Sequence, residues 1–457
     1  MAHEVRDAYL KLRPPDYSEE RSGNYLLIWG DLPHWAVVDC ELHNLLLKLD
    51  GTRTPCSLLA THPEAVREGV ISYLQAMVEA GVLLDPEQEV QRPEFDPPMI
   101  QNIALNLTRR CNLRCRWCYN LDKPVSSEAL SPREIEKVLR ASRRLLGEHP
   151  SLTILGGEPL LRAGDLLDVA AAGVRCGFTV IVSTNGTRVT EDFARWSHRL
   201  GLQVQVSLDG YNAELNDAVR GKGSFEHAMQ GIRTLVGNRV HTILSMVCHS
   251  GNFQFLENYF DLATSLGADE VRFIPLKRIG GAPGSGFIPV PLKDMLLGAY
   301  SLFIRRPDLI RLTGRDAFTI VANTCRFSTR RGSCGTGLQT FLLDSDGSIY
   351  PCLNTNLPEF HVANVRDKGF DLERMWEEST VLWNIRRVTS VNEPVQPCSV
   401  CSVRQWCLGG CHGETYALTG DLTRLSPSCE DLRAAIIEML WMLSERPDLV
   451  KPAEVIC

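Results

Sequence analysis

Short apolar runs alternate with amphipathic stretches through the middle of the chain. The runs are rich in Val, Ile and Leu and have the length of buried strands, and they lie at 152–155, 178–183, 203–208, 240–247 and 270–275. Between them, apolar residues recur at helical spacing at 132–146, 192–200, 225–236 and 253–266. Alternation of this kind predicts parallel strands joined by crossover helices. We therefore expect an α/β fold over residues 101–310, built from about six strand and helix units.

A smaller module precedes this region. Its two predicted strands lie at 25–29 and 35–38, on either side of a Gly-Asp-Leu-Pro turn. Three predicted helices follow at 39–49, 56–61 and 63–81, and a closing strand lies at 82–84. Elements in this order predict a small winged-helix-like domain, which we assign to residues 1–90. An acidic stretch with four prolines between positions 86 and 98 follows, and we place a linker at 91–100.

The overall composition is that of a globular protein. Of the 457 residues, 44% are hydrophobic and 23% are charged, and the net charge of −7 argues against a nucleic acid bound through its phosphates. No apolar run reaches the roughly eighteen residues of a membrane span, the predicted helix at 432–443 included, and the N-terminus lacks the apolar core of a signal peptide. We therefore expect a cytoplasmic protein without a membrane partner.

Sixteen cysteines are many for a cytoplasmic chain, where disulfides are rare. Five stand alone and are expected to be small buried hydrophobes, namely Cys40, Cys56, Cys176, Cys248 and Cys457. The other eleven form two groups, three at 111–118 and eight between 325 and 429. This uneven distribution indicates metal or iron–sulfur sites.

The first group is a Cys-x3-Cys-x2-Cys run directly after the apolar segment 103–107. Cys111, Cys115 and Cys118 suit an iron–sulfur cluster that leaves one iron open to a ligand that is not protein. A zinc loop and three unrelated buried thiols are the alternatives. Trp117 stands immediately before the third cysteine. With it, the run resembles the signature of the radical S-adenosylmethionine (SAM) superfamily.

This resemblance implies a fold and a reaction. It implies a partial (β/α)6 barrel with its chemistry at the carboxyl ends of the strands, and a [4Fe–4S] cluster whose open iron is chelated by SAM. One electron from the reduced cluster cleaves SAM to methionine and a 5′-deoxyadenosyl radical, which removes a hydrogen atom from the substrate. A flavodoxin or ferredoxin is the expected electron donor.

Turn sequences at successive strand ends complete the implied SAM site. By the resemblance, the segment 156–159 binds the SAM amino group through the Glu158 carboxylate or nearby carbonyls, and Ser207 and Arg220 bind the SAM carboxylate. The expected contacts are Trp117, Gly156, Gly157, Glu158, Pro159, Ser183, Asn185, Ser207, Asp209 and Arg220. Each turn alone is ordinary turn chemistry. Their order at successive strand ends carries the prediction.

The cysteine-rich region, assigned to 311–435 ahead of a C-terminal helix and tail at 436–457, resembles the SPASM extension of radical SAM enzymes. That extension holds two auxiliary clusters, which brings the expected total to three [4Fe–4S] clusters. The resemblance assigns one cluster to Cys398, Cys401, Cys407 and Cys429, and the other to Cys334, Cys352 and Cys411 with Cys325 as candidate fourth ligand. Structural zinc sites are the alternative.

The N-terminal module is similar to the peptide chaperone of pyrroloquinoline-quinone biosynthesis, a RiPP recognition element. Such a module binds the leader of a precursor peptide as an added strand, although a role in packing or dimerisation alone is also open. We therefore expect a radical SAM peptide maturase that installs a thioether or carbon–carbon cross-link. An auxiliary cluster would then accept an electron or orient the substrate.

Two other functions are alternatives to this one. A sulfatase-maturing enzyme oxidises a protein Cys or Ser to formylglycine and uses an aspartate as base, but the position of that aspartate, directly after Cys352, is Leu353, followed by Asn354. A protein that only transfers electrons or scaffolds a complex has no need of a SAM site.

Overall fold

A computed structural model describes residues 2–84, 99–121, 128–313, 334–390 and 397–446. Cys325, Cys457 and nearly all of the predicted linker at 91–100 lie outside these ranges. None of the helices within them is long and apolar enough to cross a membrane.

The N-terminal module contains a three-stranded antiparallel sheet in the order β2-β3-β4. Its elements are α1 (Ala2–Asp7), β1 (Lys11–Leu12), β2 (Tyr17–Arg21), β3 (Asn24–Trp29), β4 (His34–Asp39), α2 (Cys40–Leu47), α3 (Pro55–Leu58), α4 (Glu64–Glu79) and β5 (Leu83–Leu84). The predicted first two strands correspond to β3 and β4, and the predicted helices to α2, α3 and α4. Asp39 caps α2, because its carboxylate accepts a hydrogen bond of 2.8 Å from the Leu42 backbone.

The third strand of this sheet differs from the prediction. β2 pairs with β3, whereas the closing strand β5 pairs with β1 instead. The sequence of β2, Tyr-Ser-Glu-Glu-Arg, contains no apolar run, because its side chains alternate between half-buried and exposed positions. Both faces of the sheet are covered. Leu27 and Trp29 share a core with α2 and α4, and Leu26 and Ile28 pack against the C-terminal region.

The centre of the chain is a nine-stranded sheet in the order β11-β10-β9-β8-β7-β6-β12-β13-β14. Its first part comprises β6 (Ile100–Thr108), α5 (Pro132–Ala141), β7 (Leu146–Gly156), α6 (Ala163–Arg175), β8 (Thr179–Thr184), α7 (Glu191–Arg199), β9 (Gln203–Ser207), α8 (Ala213–Arg220), α9 (Ser224–Gly237), β10 (His241–Cys248), α10 (Leu256–Leu266), β11 (Glu270–Pro275) and α11 (Leu292–Arg305). Strands β6 to β11 are parallel neighbours in chain order. The predicted α/β partial barrel of six parallel strands is confirmed.

The C-terminal region continues this sheet. It comprises β12 (Thr340–Leu343), β13 (Ser348–Tyr350), β14 (Ala363–Asn364), α12 (Leu372–Glu378), α13 (Thr380–Thr389), α14 (Arg404–Cys407), α15 (His412–Thr419) and α16 (Cys429–Glu445). β12 pairs in parallel with β6, although the sequence-based boundary at 310 placed it in a separate domain. The last helix begins at Cys429, three residues before the predicted start at 432 and within the region assigned to 311–435.

One predicted helix is shorter than expected. The amphipathic pattern at 132–146 yields α5 only to Ala141, then a 3₁₀ turn, and β7 begins at Leu146. The Ser142 hydroxyl donates a 2.8 Å hydrogen bond to the Leu139 carbonyl. A serine side chain that bonds nearby backbone competes with helix continuation, which explains the early end.

Candidate active site

The carboxyl ends of the parallel strands open onto a cavity of about 840 Å³, a size typical of ligand sites. Side chains alternate across a strand, so Val204 and Val206 of β9 are buried while Gln205 and Ser207 line the cavity. The predicted site residues that line it are Cys111, Cys115, Trp117, Cys118, Gly156, Gly157, Ser183, Asn185, Ser207 and Arg220. The other three predicted SAM residues, Glu158, Pro159 and Asp209, are buried and do not line it.

The cysteine loop follows β6 and forms part of the cavity wall. Burial raises the pKa of the Cys115 thiol to about 11, Arg220 lowers it, and the charges of Asp209, Cys118 and Cys111 raise it further. Burial also raises the pKa of Cys111. Thiols this close together are costly to ionise without a cation, and a bound metal supplies that cation because metals bind the thiolate form.

The donor set fits the implied cluster. Among the described residues, no three Cys, His, Asp or Glu side chains are close enough to hold a single metal ion. A tetrahedral zinc site needs such a close group, because each of its thiolates lies about 2.3 Å from the one metal. The thiolates of a [4Fe–4S] cluster bind different irons and therefore stand further apart. Three thiols along the wall of one cavity are compatible with such a cluster.

Gly156 and Gly157 bring two loops together. The Gly157 amide donates a hydrogen bond of 2.7 Å to the Thr108 carbonyl at the end of β6, and a Cβ atom on Gly157 would lie 2.2 Å from the Arg110 carbonyl oxygen. Glycine is required here because the loop after β7 contacts the backbone of the cysteine loop. The sequence predicted close approach to a ligand, and the structure shows close approach between two loops.

Glu158 connects neighbouring strands. Its carboxylate accepts hydrogen bonds from the Thr184 hydroxyl at 2.7 Å, the Asn185 amide at 2.8 Å and the Leu160 amide at 3.0 Å. Burial raises the pKa of Glu158, and these hydrogen bonds lower it. Of the two groups predicted to meet the SAM ammonium, the carboxylate is therefore engaged inside the protein.

Arg220 and Asp209 form a buried ion pair, with the Arg220 Nε 2.6 Å from the Asp209 carboxylate. Burial alone would lower the pKa of Arg220, but Asp209 and Cys115 raise it. The other Asp209 oxygen accepts a hydrogen bond of 2.9 Å from the Val247 amide. Asp209 thus fixes the guanidinium at the cavity wall, where its Nη1 lies 4.0 Å from the Cys115 sulfur. A guanidinium held in this way suits a carboxylate ligand.

Asn185 and Trp117 anchor the cysteine loop from two sides. The Asn185 side-chain amide donates a hydrogen bond of 3.0 Å to the Asn112 side chain, which ties the end of β8 to the loop. The Trp117 ring lies 5.2 Å from that of His249 and 4.8 Å from that of Phe287. These contacts fix the ring at the cavity wall.

The C-terminal cysteines of the described chain fall into two sets. The cavity-side set consists of Cys334, Cys352 and Cys411, because the charge of Cys411 raises the pKa of the other two. The sheet-side set consists of Cys398, Cys401, Cys407 and Cys429, because the charges of Cys401 and Cys429 raise the pKa of Cys398 and Cys407. Burial, followed by the charges of the other members of its set, raises the pKa of Cys352 to about 11. The same causes raise the pKa of Cys407 to about 12. The assignment of these cysteines to two auxiliary clusters stays a prediction, and its candidate ligand Cys325 lies outside the described residues.

The cavity-side set lies beside the cavity. Leu353 and Asn354, which directly follow Cys352, line it. The Asn354 side-chain amide lies 3.4 Å from the Cys411 sulfur. Groups held by this set would therefore be neighbours of a substrate in the cavity.

The sheet-side set lies against the N-terminal module. Cys401 and Cys407 pack in a hydrophobic cluster with Leu26 and Ile28 of β3. A Cβ atom on Gly30 would lie 2.5 Å from the Ser402 carbonyl oxygen. The two chain segments are thus in close contact.

Four cations of the cavity wall, Arg109, Arg114, Arg272 and Lys277, were not predicted. The Arg109 Nε lies 3.1 Å from both carboxylate oxygens of Asp344, which is 235 residues away in the chain. The Arg272 Nε lies 2.6 Å from Glu270 on the same face of β11. Charges two residues apart in a buried strand are a signal that sequence could have revealed. The pairing with Asp344 had no local signal.

Residues 105–261 match the Radical SAM superfamily. The AdoMet-dependent heme synthase of Methanosarcina barkeri is 27% identical over 346 residues, which cover 72% of this chain and 95% of that protein. Mycofactocin maturase MftC of Mycobacterium tuberculosis is 29% identical over 337 residues, which cover 72% of this chain and 82% of that protein.

Two solved structures share the fold. AnSMEcpe with bound AdoMet has a TM-score of 0.63 at 17% identity and covers 78% of this chain and 97% of that one. Streptococcus suis SuiB bound to S-adenosylmethionine has a TM-score of 0.60 at 13% identity and covers 92% and 98%. At such identities the likeness concerns the fold alone.

Proposed function

The chain is a radical SAM enzyme, and on that premise we propose that it matures a ribosomally made precursor peptide by closing a thioether or carbon–carbon cross-link within it. SAM and the [4Fe–4S] cluster that this family uses supply, when bound, the radical that removes a hydrogen atom from the substrate. In the proposal, Cys111, Cys115 and Cys118 hold the cluster. Arg220, oriented by Asp209, binds the SAM carboxylate.

One observation carries the proposal. A single cavity is lined on one side by the cysteine loop and on another by Leu353 and Asn354, next to Cys352. A peptide segment in this cavity would touch both the site of hydrogen removal and the cavity-side set. Oxidative closure of a cross-link would use both the site of hydrogen removal and the cavity-side set. One hydrogen leaves as an atom and the second leaves as a proton and an electron, and a cluster held by the cavity-side set would take up that electron. We accordingly assign one auxiliary [4Fe–4S] cluster to each C-terminal set.

The N-terminal module supports a peptide substrate. In the described chain, β2 and β4 each pair only with β3, which leaves one edge of each strand unpaired within the sheet. An extended peptide can add to such an edge through main-chain hydrogen bonds. We therefore assign leader binding to this sheet. Both of its faces are covered, so the edges are the surfaces left for strand addition.

Named relatives fit the same proposal. MftC is a maturase by name. Among the similar folds, SuiB has been solved bound to the precursor peptide SuiA, and anSMEcpe with the Cp18Cys peptide. We extend peptide modification to this chain on these likenesses together with the cavity.

Formylglycine formation is not favoured. It would need a carboxylate base at the position of Leu353, and no Asp or Glu is among the described residues that line the cavity. The alternative of a non-catalytic electron carrier or scaffold conflicts with the radical SAM domain.

The test is an anaerobic assay of reconstituted protein with SAM, a reductant and a candidate precursor from a short open reading frame beside the gene. The expected result is 5′-deoxyadenosine that carries deuterium from a labelled peptide, together with a peptide lighter by two hydrogen atoms. Transfer of deuterium to 5′-deoxyadenosine without this mass change would refute cross-linking. No 5′-deoxyadenosine with any such peptide would refute the proposed function.

A truncation tests the leader assignment separately. Removal of residues 1–90 is expected to weaken precursor binding while uncoupled SAM cleavage continues. Fluorescence anisotropy of a labelled leader peptide measures the affinity. An unchanged affinity would contradict the role of the module, whatever the reaction.

A further inference from the structure

The charged residues of the cavity wall are all cations. Among the described residues that line the cavity, five are basic and none is Asp, Glu or His. The five are Arg109, Arg114, Arg220, Arg272 and Lys277. SAM alone does not account for this bias, because its one carboxylate is accompanied by an ammonium and a sulfonium. A wall that is so strongly cationic indicates a second anionic ligand group.

Three of these cations have acid partners behind the wall. Arg109 pairs with Asp344, Arg220 with Asp209 and Arg272 with Glu270. Their charges are largely balanced before a ligand binds. A fourth, Arg114, belongs to the cysteine loop and lies between Cys111 and Cys115 in the chain, so its charge is near the thiolates that a cluster would use.

Lys277 differs from the other four. It follows the end of β11 by two residues, and in the described chain no hydrogen-bond acceptor or carboxylate contacts its ammonium. The same cavity wall also contains Leu276, Leu292 and Leu296. An ammonium in a partly apolar cavity is costly to desolvate unless the ligand brings an anion.

We propose that the peptide residue that enters the cavity carries a carboxylate, from an acidic side chain or from the peptide's C-terminus, and that Lys277 binds it. The inference rests on the proposed function and specifies its substrate. Apolar residues of the same wall would contact the remainder of the residue. Arg220 stays assigned to SAM, so the two carboxylates are bound by different cations.

Lys277 also lies close enough to Cys334 for its charge to lower the pKa of that thiol, against the raising effect of burial. A role that serves only the cavity-side set is therefore the rival explanation. The two roles differ in what they affect. A lysine that only offsets thiolate charge would influence the cluster and would be indifferent to the charge of the peptide.

The experiment uses a synthetic copy of the precursor that passes the deuterium-transfer test above. One arm replaces each Asp or Glu by its amide, and a second arm amidates the C-terminus. Binding of each fluorescent peptide is measured with wild type, Lys277→Gln and Lys277→Arg, and the cluster spectra are recorded alongside. Arg278→Gln is the matched control, because Arg278 pairs with Glu414 and does not line the cavity.

The wild-type protein is expected to bind one of the two neutralised peptides roughly 10- to 100-fold more weakly than the unmodified peptide, the usual range for a lost charge-assisted contact. Lys277→Gln should show the same loss with the unmodified peptide and no further loss with the neutral one, because both changes remove one contact. Lys277→Arg should recover part of the affinity, and Arg278→Gln should match wild type. The arm that loses binding identifies the source of the carboxylate.

Equal binding of all peptide forms by wild type would overturn the inference while leaving the proposed function intact. So would a Lys277→Gln protein that loses the same affinity for charged and neutral peptides. If no peptide passes the deuterium-transfer test, the proposed function fails, and this inference fails with it.

Discussion

The two C-terminal cysteine sets are built from the same residue type, but their surroundings differ. The cavity-side set is next to Leu353 and Asn354 in the cavity wall, whereas two members of the sheet-side set pack against β3 of the N-terminal module. The contrast shows that cysteine spacing alone does not define a role. We propose that the cavity-side set serves the reaction and that the sheet-side set fixes the position of the leader-binding module.

Cys352→Ala is expected to have the largest effect. If the cavity-side set serves oxidative closure, cross-linked product should fall at least about a thousandfold, which corresponds to about 4 kcal/mol in activation free energy. Formation of 5′-deoxyadenosine should continue, because the cysteine loop is untouched. Mass spectrometry of the peptide and chromatography of 5′-deoxyadenosine measure both. Cys176→Ala, at a lone cysteine that follows α6, is the matched control.

The sheet-side counterpart is Cys407→Ala. It should weaken precursor binding more than it slows turnover of bound precursor. Equal losses of turnover in the Cys352 and Cys407 variants, with unchanged binding in both, would remove the functional difference between the two sets.

The next largest effect is expected from the contact between the sheet-side set and β3. Trp406 is 7% exposed in the hydrophobic cluster that includes Leu26 and Ile28. Trp406→Ala should lower the free energy of unfolding by about 3–5 kcal/mol. It should also increase hydrogen exchange in β2 to β4. Denaturant unfolding and exchange mass spectrometry measure these effects.

Trp383→Ala is the matched control, because Trp383 is 62% exposed. Its effect should stay within about 0.5 kcal/mol. Iron content is measured in both variants, since loss of iron in the Trp406 protein would assign the effect to the cluster. If exchange in β2 to β4 is unchanged while the iron is retained, this contact does not fix the module.

An ion pair should make a smaller contribution to the same contact. Asp31 pairs with Arg404 next to the sheet-side set and also with Arg13 at 3.1 Å. Asp31→Asn should cost about 1–2 kcal/mol, because it leaves partly buried guanidinium groups without their acid. Glu378→Gln, which breaks an exposed pair with Arg374, should produce no measurable change. Equal unfolding curves for both variants would mean that Asp31 does not stabilise the contact.

The sequence predicts a strand well where the pattern of its own residues identifies it, and poorly where the strand depends on distant parts of the chain. Strand β9 was predictable because Val204 and Val206 alternate with polar residues, a pattern with a period of two. Strand β2 lacks an apolar run and was missed, since a neighbouring strand and the C-terminal helices supply its partners. The pairing of β12 with the central sheet could not be predicted from the local sequence either, because its partner β6 is far away in the chain.

The candidate site shows the same division. The loop cysteines and Arg220 were expected from motif order and do line the cavity. Glu158 and Asp209 were expected as ligand contacts, but both are buried and bonded to other protein groups. Both carboxylates bind groups of the neighbouring strands and helices, Glu158 at the end of β8 and Asp209 at Arg220. Lys277 belongs to no motif, and its importance depends on which charges surround it in the folded chain.

The smallest effect should distinguish the two sets by redox potential. The Asn354 amide lies 3.4 Å from the Cys411 sulfur, and hydrogen bonds to cluster sulfurs raise the reduction potential because they stabilise the extra electron. Asn354→Leu removes the donor at similar volume. It should lower the potential of the cavity-side cluster by roughly 40–60 mV, the equivalent of one neutral hydrogen bond for a one-electron couple.

An EPR-monitored titration of the Asn354→Leu protein measures both auxiliary signals in one sample. The signal of the sheet-side set is the internal control and should not shift, because the Asn354 amide contacts Cys411 of the cavity-side set. Equal shifts of both signals would mean that the substitution disturbs the whole C-terminal region. A shift confined to one signal would assign that signal to Cys334, Cys352 and Cys411, which turns the structural difference between the two sets into a spectroscopic one.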